Sequence, residues 1–113
     1  MKKLLLILLC VPLIGFGQQT YVPDDNFEDY LETHDWSGNI VALGSPTSMG
    51  DGIANNDYVT TSSINTVTHL DLSYTNNTQI SDLTGIEDFT NLTYLNCYGN
   101  HLPSLDLSNN IYL

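Results

Sequence analysis

Basic residues are almost missing from this chain. Its two Lys+Arg residues are Lys2 and Lys3, against thirteen Asp+Glu, giving a formal net charge of −11 over 113 residues. Nucleic-acid binding needs a basic footprint that displaces counterions from phosphates, so nucleic acid is excluded as a partner class. Anionic lipid surfaces are excluded by the same field. Cysteine is scarce as well. Cys10 lies in the N-terminal apolar run, and beyond it only Cys97 remains, so the rest of the chain has no intrachain disulfide. A small fold without that staple needs another source of stability. Histidine-rich metal motifs are absent: His34, His69 and His101 are scattered, without H-x-x-x-H spacing. No serine lies in G-x-S-x-G. The paired acids Asp24-Asp25 and Glu87-Asp88 are adjacent and read as solvated, so no catalytic set emerges and none is expected. No cofactor and no metal is expected either.

What is present begins with export. Met1-Lys2-Lys3 is a short basic start, residues 4–14 are nearly all apolar, and Gly15-Phe16-Gly17 puts small residues before Gln18. That is the layout of a cleaved secretory signal over residues 1–17. The run is shorter than the roughly 20 residues of a spanning helix, so no membrane insertion is expected after cleavage. The expected location is secreted or cell-surface.

Residues 18–63 read as a cap region. Gln18 to Pro23 is extended. A helix is expected over 24–34, with Phe27, Tyr30 and Leu31 forming one apolar stripe. Asp24 or Asp25 serves as N-cap, and Glu28 follows Asp25 at capping-box spacing. Residues 37–63 are rich in Gly, Ser, Thr, Asn and Asp, so turns dominate. Trp36, Ile40, Val41, Leu43, Ile53 and Tyr58 are the expected anchors of that stretch. Asp51 to Asp57 is a calcium candidate by composition, but its spacing departs from D-x-[DN]-x-[DN]-G.

Residues 64–113 are periodic. Val67-x-x-Leu70-x-Leu72 recurs 25 residues later as Leu92-x-x-Leu95-x-Cys97, and Leu113 stands about 21 residues after Leu92, where a third copy would begin. Ile80, Leu83, Ile86 and Phe89 fill the return path of the first copy. Alternation places Leu70, Leu72, Leu95 and Cys97 inward on short parallel strands, with Cys97 packing as a small hydrophobe. Each repeat buries its apolar side only against its neighbour. The array has about two repeats and an open C-terminal edge, so the chain reads as a fragment of a longer protein.

Leu92-Thr-Tyr-Leu95-Asn-Cys97-Tyr-Gly-Asn100-His-Leu102 resembles the leucine-rich repeat consensus L-x-x-L-x-L-x-x-N/C-x-L. Residues 80–92 look like the return segment of internalin-like bacterial repeats, and Tyr21-Val-Pro-Asp-Asp-Asn-Phe27 is similar to the cap that precedes such arrays. The resemblance implies an α/β solenoid with short parallel strands and a helical or loop cap. Asn100 would be its buried ladder residue, and Thr75 stands at the matching position of the first copy. It further implies a concave sheet that binds a protein or glycan ligand, with His69, Asp71, Tyr94, Asn96 and Tyr98 as the contact residues. Two other readings stay open: a structural cap or spacer of a longer surface protein, and the non-catalytic part of an enzyme.

Overall fold

The computed structural model describes residues 17–73 and 79–113. The expected signal segment up to Phe16 and the ladder position Thr75 lie outside the described residues. Among those described, no helix is long and apolar enough to cross a membrane.

The cap is built from four short elements. Strand β1 (Gln19–Tyr21) pairs antiparallel with β2 (Tyr58–Thr60), in register Gln19↔Thr60, Thr20↔Val59 and Tyr21↔Tyr58. Between them helix α1 spans Asp25–Thr33, and the four-residue helix α2 (Thr61–Ile64) follows β2 directly. The stretch expected to consist of turns therefore ends in a strand and a helix. Asp24 is the N-cap of α1: its Oδ1 accepts from the backbone N–H of Asn26 at 2.9 Å and of Phe27 at 3.0 Å. The capping box does not form, because the Glu28 carboxylate turns to the backbone of residues 56 and 57 instead.

The repeat region contributes β3 (His69–Asp71) and β4 (Tyr94–Asn96), paired in parallel with register His69↔Tyr94, Leu70↔Leu95 and Asp71↔Asn96. That register is the 25-residue shift. Between the strands the chain returns through a 3-10 turn at Ile86–Asp88, entered by Gly85 at φ 108°. A leucine-rich-repeat-type arrangement is thus present in coarse form, as one parallel strand pair beside one antiparallel pair. Among the described residues this is short of an extended solenoid, and residues 97–113 add no further strand.

One apolar core joins the two halves. Phe27 and Leu31 from α1, Leu70 and Leu72 from β3 and its exit, and Phe89 and Leu92 from the return path are all buried in it. The rings of Phe27 and Phe89 stack at 6.2 Å, so the cap helix sits directly on the first repeat. Leu95 and Cys97 pack on the same core but are half-buried. The inward alternation therefore holds, with the second strand less covered than the first.

Most of the expected loop anchors are corrected. Trp36 and Ile40 are 66% and 78% exposed, and Leu43, Ile53 and Tyr58 are also exposed; only Val41 is half-buried. Met49 and Val59 go into the core in their place. The physical reason lies in the backbone. A turn-rich loop leaves N–H groups unpaired, and this one is held through those groups by two buried glutamates of α1, as set out below.

Candidate binding face

The exposed face of β3 and β4 carries the residues predicted to line the concave sheet. His69, Asp71 and Tyr94 are exposed, Asn96 is half-buried, and Tyr98 beyond the strand is exposed. Alternation puts these side chains opposite Leu70 and Leu95. His69 and Tyr94 lie side by side through the parallel register, their rings stacked 4.1 Å apart and only 3° from parallel. Such stacking orders two amphipathic side chains at little further entropic cost. Asp71 and Asn96 occupy matching positions and do matching work. Asp71 Oδ1 accepts from Ser73 N at 3.0 Å and from Ser73 Oγ at 2.6 Å, while Asn96 Oδ1 accepts from Tyr98 N at 3.0 Å. The Ser73 hydroxyl and amide, helped by nearby His69, hold the Asp71 carboxyl below the usual carboxylate range.

The sheet face does not stop at β3. The C-terminal end of α1 and the turn after it rise beside the strand and enclose a cleft of about 390 Å³. Tyr30, His34, Asp35 and Trp36 form its cap wall, His69, Asp71 and Ser73 its strand wall, and Met49 and Leu70 also line it. Tyr30 and His34, one helical turn apart, stack at 3.8 Å, and His34 Nδ1 lies 2.9 Å from the Tyr30 carbonyl. Asp35 caps its own turn: Oδ1 accepts from Ser37 N and Asn39 N, each at 2.9 Å. These bonds, the Asn39 amide first, keep its carboxyl low. The Tyr30 hydroxyl is pushed up by burial and then by the charges of Asp71 and Asp35, so both carboxylates act on the same part of the cleft. Sequence reasoning found the strand wall and missed the cap wall. Trp36, expected as a core anchor, instead lines the cleft and is exposed.

Two glutamates organise the cap beneath this face. Glu28 and Glu32 are almost completely buried. Glu32 accepts from Asp51 N at 2.9 Å and Gly52 N at 2.8 Å; Glu28 accepts from Asn56 N at 3.1 Å and Asp57 N at 3.0 Å. Burial pushes the Glu32 carboxyl up from 4.5 to about 7, against the pull of these amides and with the acidic Asp51 adding to the rise. Glu28 is raised as well, again chiefly by burial. Gly50 is required here, since any Cβ on it would overlap the Glu32 carboxylate.

This geometry bears on the calcium candidate. The loop over residues 51–57 points amide donors inward, and Asp51 spends its oxygens on Ile53 N, Asn56 Nδ2 and Gln19 Nε2. Oxygens of Asp25, Glu28 and Asp57 do converge within 4.8 Å of one another. The Glu28 pair already accepts two amides, so the arrangement is accounted for as a loop clamp.

Two asparagines close the turns. Asn100 Nδ2 donates to the Leu72 carbonyl at 2.9 Å and the Cys97 carbonyl at 3.1 Å, while its Oδ1 accepts from Ile80 N at 3.0 Å. It links one repeat to the next as expected, although half-buried. Asn110 was not foreseen. It is 3% exposed, and its Nδ2 donates to the carbonyls of Ile86 at 2.8 Å and Phe89 at 3.0 Å. The signal was available: Leu102-x-x-Leu105-x-Leu107-x-x-Asn110 repeats the spacing of Leu92 to Asn100.

No protein-family model matches the chain, and no curated protein does. A solved structure is similar to it: the functional domain of InlJ from Listeria monocytogenes, which includes a cysteine ladder. The two share 32% identity over 86% of this chain, with a TM-score of 0.56, and the chain spans 18% of that structure's length. The likeness is one of fold over most of this chain. In this chain the inward position one repeat before Cys97 is Leu72, so the two stacked positions do not pair cysteine with cysteine.

Proposed function

We infer that this chain is an exported, non-catalytic interaction module that binds a protein or glycan through the face of β3 and β4. The observation that carries the reading is the stacked His69–Tyr94 pair, exposed and continuous with the aromatic and acidic cleft under Trp36. Exposed aromatic residues beside fixed polar groups are the chemistry of recognition surfaces. Asp35 and Asp71 are each held by their own turn, which supports a binding role over an enzymatic one. The likeness to InlJ supports the same class at the level of fold.

The test is a paired screen. Wild-type protein and a His69→Ala/Tyr94→Ala double variant are passed over immobilised peptide and glycan arrays. Retained far-UV circular dichroism certifies the variant fold. Features bound by the wild type and lost by the variant support the reading. Features bound equally by both place recognition elsewhere and overturn it. Export is tested separately by sequencing the N-terminus of protein released by a bacterial host, which is expected to begin at Gln18.

A second reading, a structural cap for further repeats, is favoured by Asn110. Its Oδ1 is buried with no hydrogen-bond partner among the described residues, close in sequence to the exposed Ile111 and Leu113. A backbone N–H from a further turn stacked there would satisfy it, as Ile80 N satisfies Asn100.

A further inference from the structure

We propose that the cleft between the cap turn and β3 receives an arginine side chain from a basic segment of a protein partner. This rests on the interaction-module reading and names the chemistry of its ligand. The cleft is at the small end of ligand-binding cavities, which run roughly 300–1,000 Å³, so its 390 Å³ suits one long side chain rather than a large folded epitope.

The walls choose the charge. Asp35 stands on one side and Asp71 on the other, and both are fixed by hydrogen bonds to their own turns. The described residues contain no lysine or arginine, so beside these carboxylates they offer only the imidazoles of His34 and His69 and no permanent cation. On Asp71 the two serine bonds fall on Oδ1, and Oδ2 has no hydrogen bond among the described residues. That leaves one oxygen of the carboxylate able to accept from a further donor. The fixed local bonds also mean that little ordering entropy remains to be lost on binding.

The walls also choose between the two cations. Tyr30 stacked on His34 lines one side, the His69 ring lines the other and is backed by Tyr94 outside the cleft, and Trp36, 66% exposed, also lines it. A guanidinium is planar, stacks on ring faces and donates along a fork that fits a carboxylate; an ammonium is a hydrated point charge without a face. The exposed Trp36 ring gives the methylene stem apolar surface to lie along. A neutral sugar would use the rings but leave two ionised carboxylates without a countercharge, so the arginine is the better complement.

The experiment is titration of the 15N-labelled protein with three short peptides, identical except for a central arginine, lysine or citrulline, and with a neutral hexasaccharide. Arginine is expected to shift the Trp36 indole and the amides of residues 34–38 and 69–73, saturably and about tenfold more tightly than citrulline, with lysine between them. Asp71→Asn keeps an Oδ1 acceptor for Ser73 and is expected to weaken the arginine peptide about fivefold while leaving citrulline unchanged. Added salt weakens arginine selectively. Equal shifts by arginine and citrulline overturn the proposal. Shifts by the hexasaccharide alone also overturn it, while leaving the interaction-module reading in place. No shift in the cleft with any probe overturns it too, and the array screen with the His69→Ala/Tyr94→Ala variant then decides that broader reading by itself.

Discussion

Replacing Glu32 by glutamine is expected to flatten the fall in this protein's stability between pH 4.5 and about 7, although it leaves one of two backbone amides without an acceptor. The carboxyl is 1% exposed and titrates near 7 rather than 4.5. Between those values the folded chain holds a proton that the unfolded chain has released. Stability therefore falls as pH rises from 4.5 to about 7, and the full penalty is present above that window. At ~1.4 kcal/mol per pH unit the interval corresponds to ~3 kcal/mol. Discounted by about half for screening by solvent near the cap surface, it leaves ~1.5 kcal/mol. That is a sizeable share of the ~5–15 kcal/mol typical of a small domain. Glutamine has the donor and acceptor layout of the protonated acid: one oxygen for the Asp51 or Gly52 amide and one donor toward Asp51. It keeps the neutral form at every pH.

The assay is urea unfolding followed by far-UV circular dichroism from pH 4.5 to 8 at constant ionic strength. Wild type is expected to lose stability across the window. Glu32→Gln is expected to lose ~1.5 kcal/mol less than wild type across the window, with a residual slope from Glu28 and a pH-independent cost from the one amide left without an acceptor. Glu32→Ala is the control for the bonds themselves. It strips both amides of their acceptor and should cost ~2–4 kcal/mol at every pH. Parallel pH slopes for wild type and Glu32→Gln, or an alanine variant as stable as the glutamine one, refute the reasoning.

Gly50→Ala should destabilise by ~3 kcal/mol, because the added methyl occupies the position of the Glu32 carboxylate rather than any forbidden backbone angle; a change below ~1 kcal/mol in urea unfolding contradicts the packing described. Asn100→Ala should cost ~2–3 kcal/mol and speed hydrogen exchange at the Ile80 amide, which loses its acceptor. Asn100→Asp should be worse, since a carboxylate then faces the Leu72 and Cys97 carbonyls.

The repeat half was legible because strand side chains alternate with a period of two. A one-residue slip from the 25-residue shift would turn Leu70 or Leu95 outward, and the recurring spacing of the two copies sets His69 against Tyr94. The cap half was less legible, because apolar pattern is a poor guide where polar groups hold the chain. Glu28 and Glu32 stand at i and i+4 on α1, a like-charge pair that weakens an isolated helix. Read as surface residues they look like a mild fault. Read as acceptors they account for the glycine- and asparagine-rich loop that follows, whose amides need partners. The exposed Trp36 and Ile40 follow from the same fact: once two carboxylates hold the loop from inside, its apolar side chains are not needed as anchors. The cleft was not legible at all, since it depends on how the turn at 34–38 is laid beside residues 69–73.

That placement has a cause in Asp24. One carboxylate oxygen caps α1 through Asn26 and Phe27, and the other accepts from Ser81 N at 2.9 Å and Asp82 N at 3.1 Å on the return path of the repeat. The N-terminus of the helix is thereby tied to the repeat at one end, while the Phe27–Phe89 stack fixes its underside. A helix held at its start and along one face has little freedom left at its far end, where Tyr30, His34 and Asp35 meet β3. The clamp that seats the cap on the repeats is therefore the same one that sets the spacing of the cleft walls. Stability of the cap and geometry of the binding face are coupled through α1, so changes that loosen Asp24 reach the cleft without touching it.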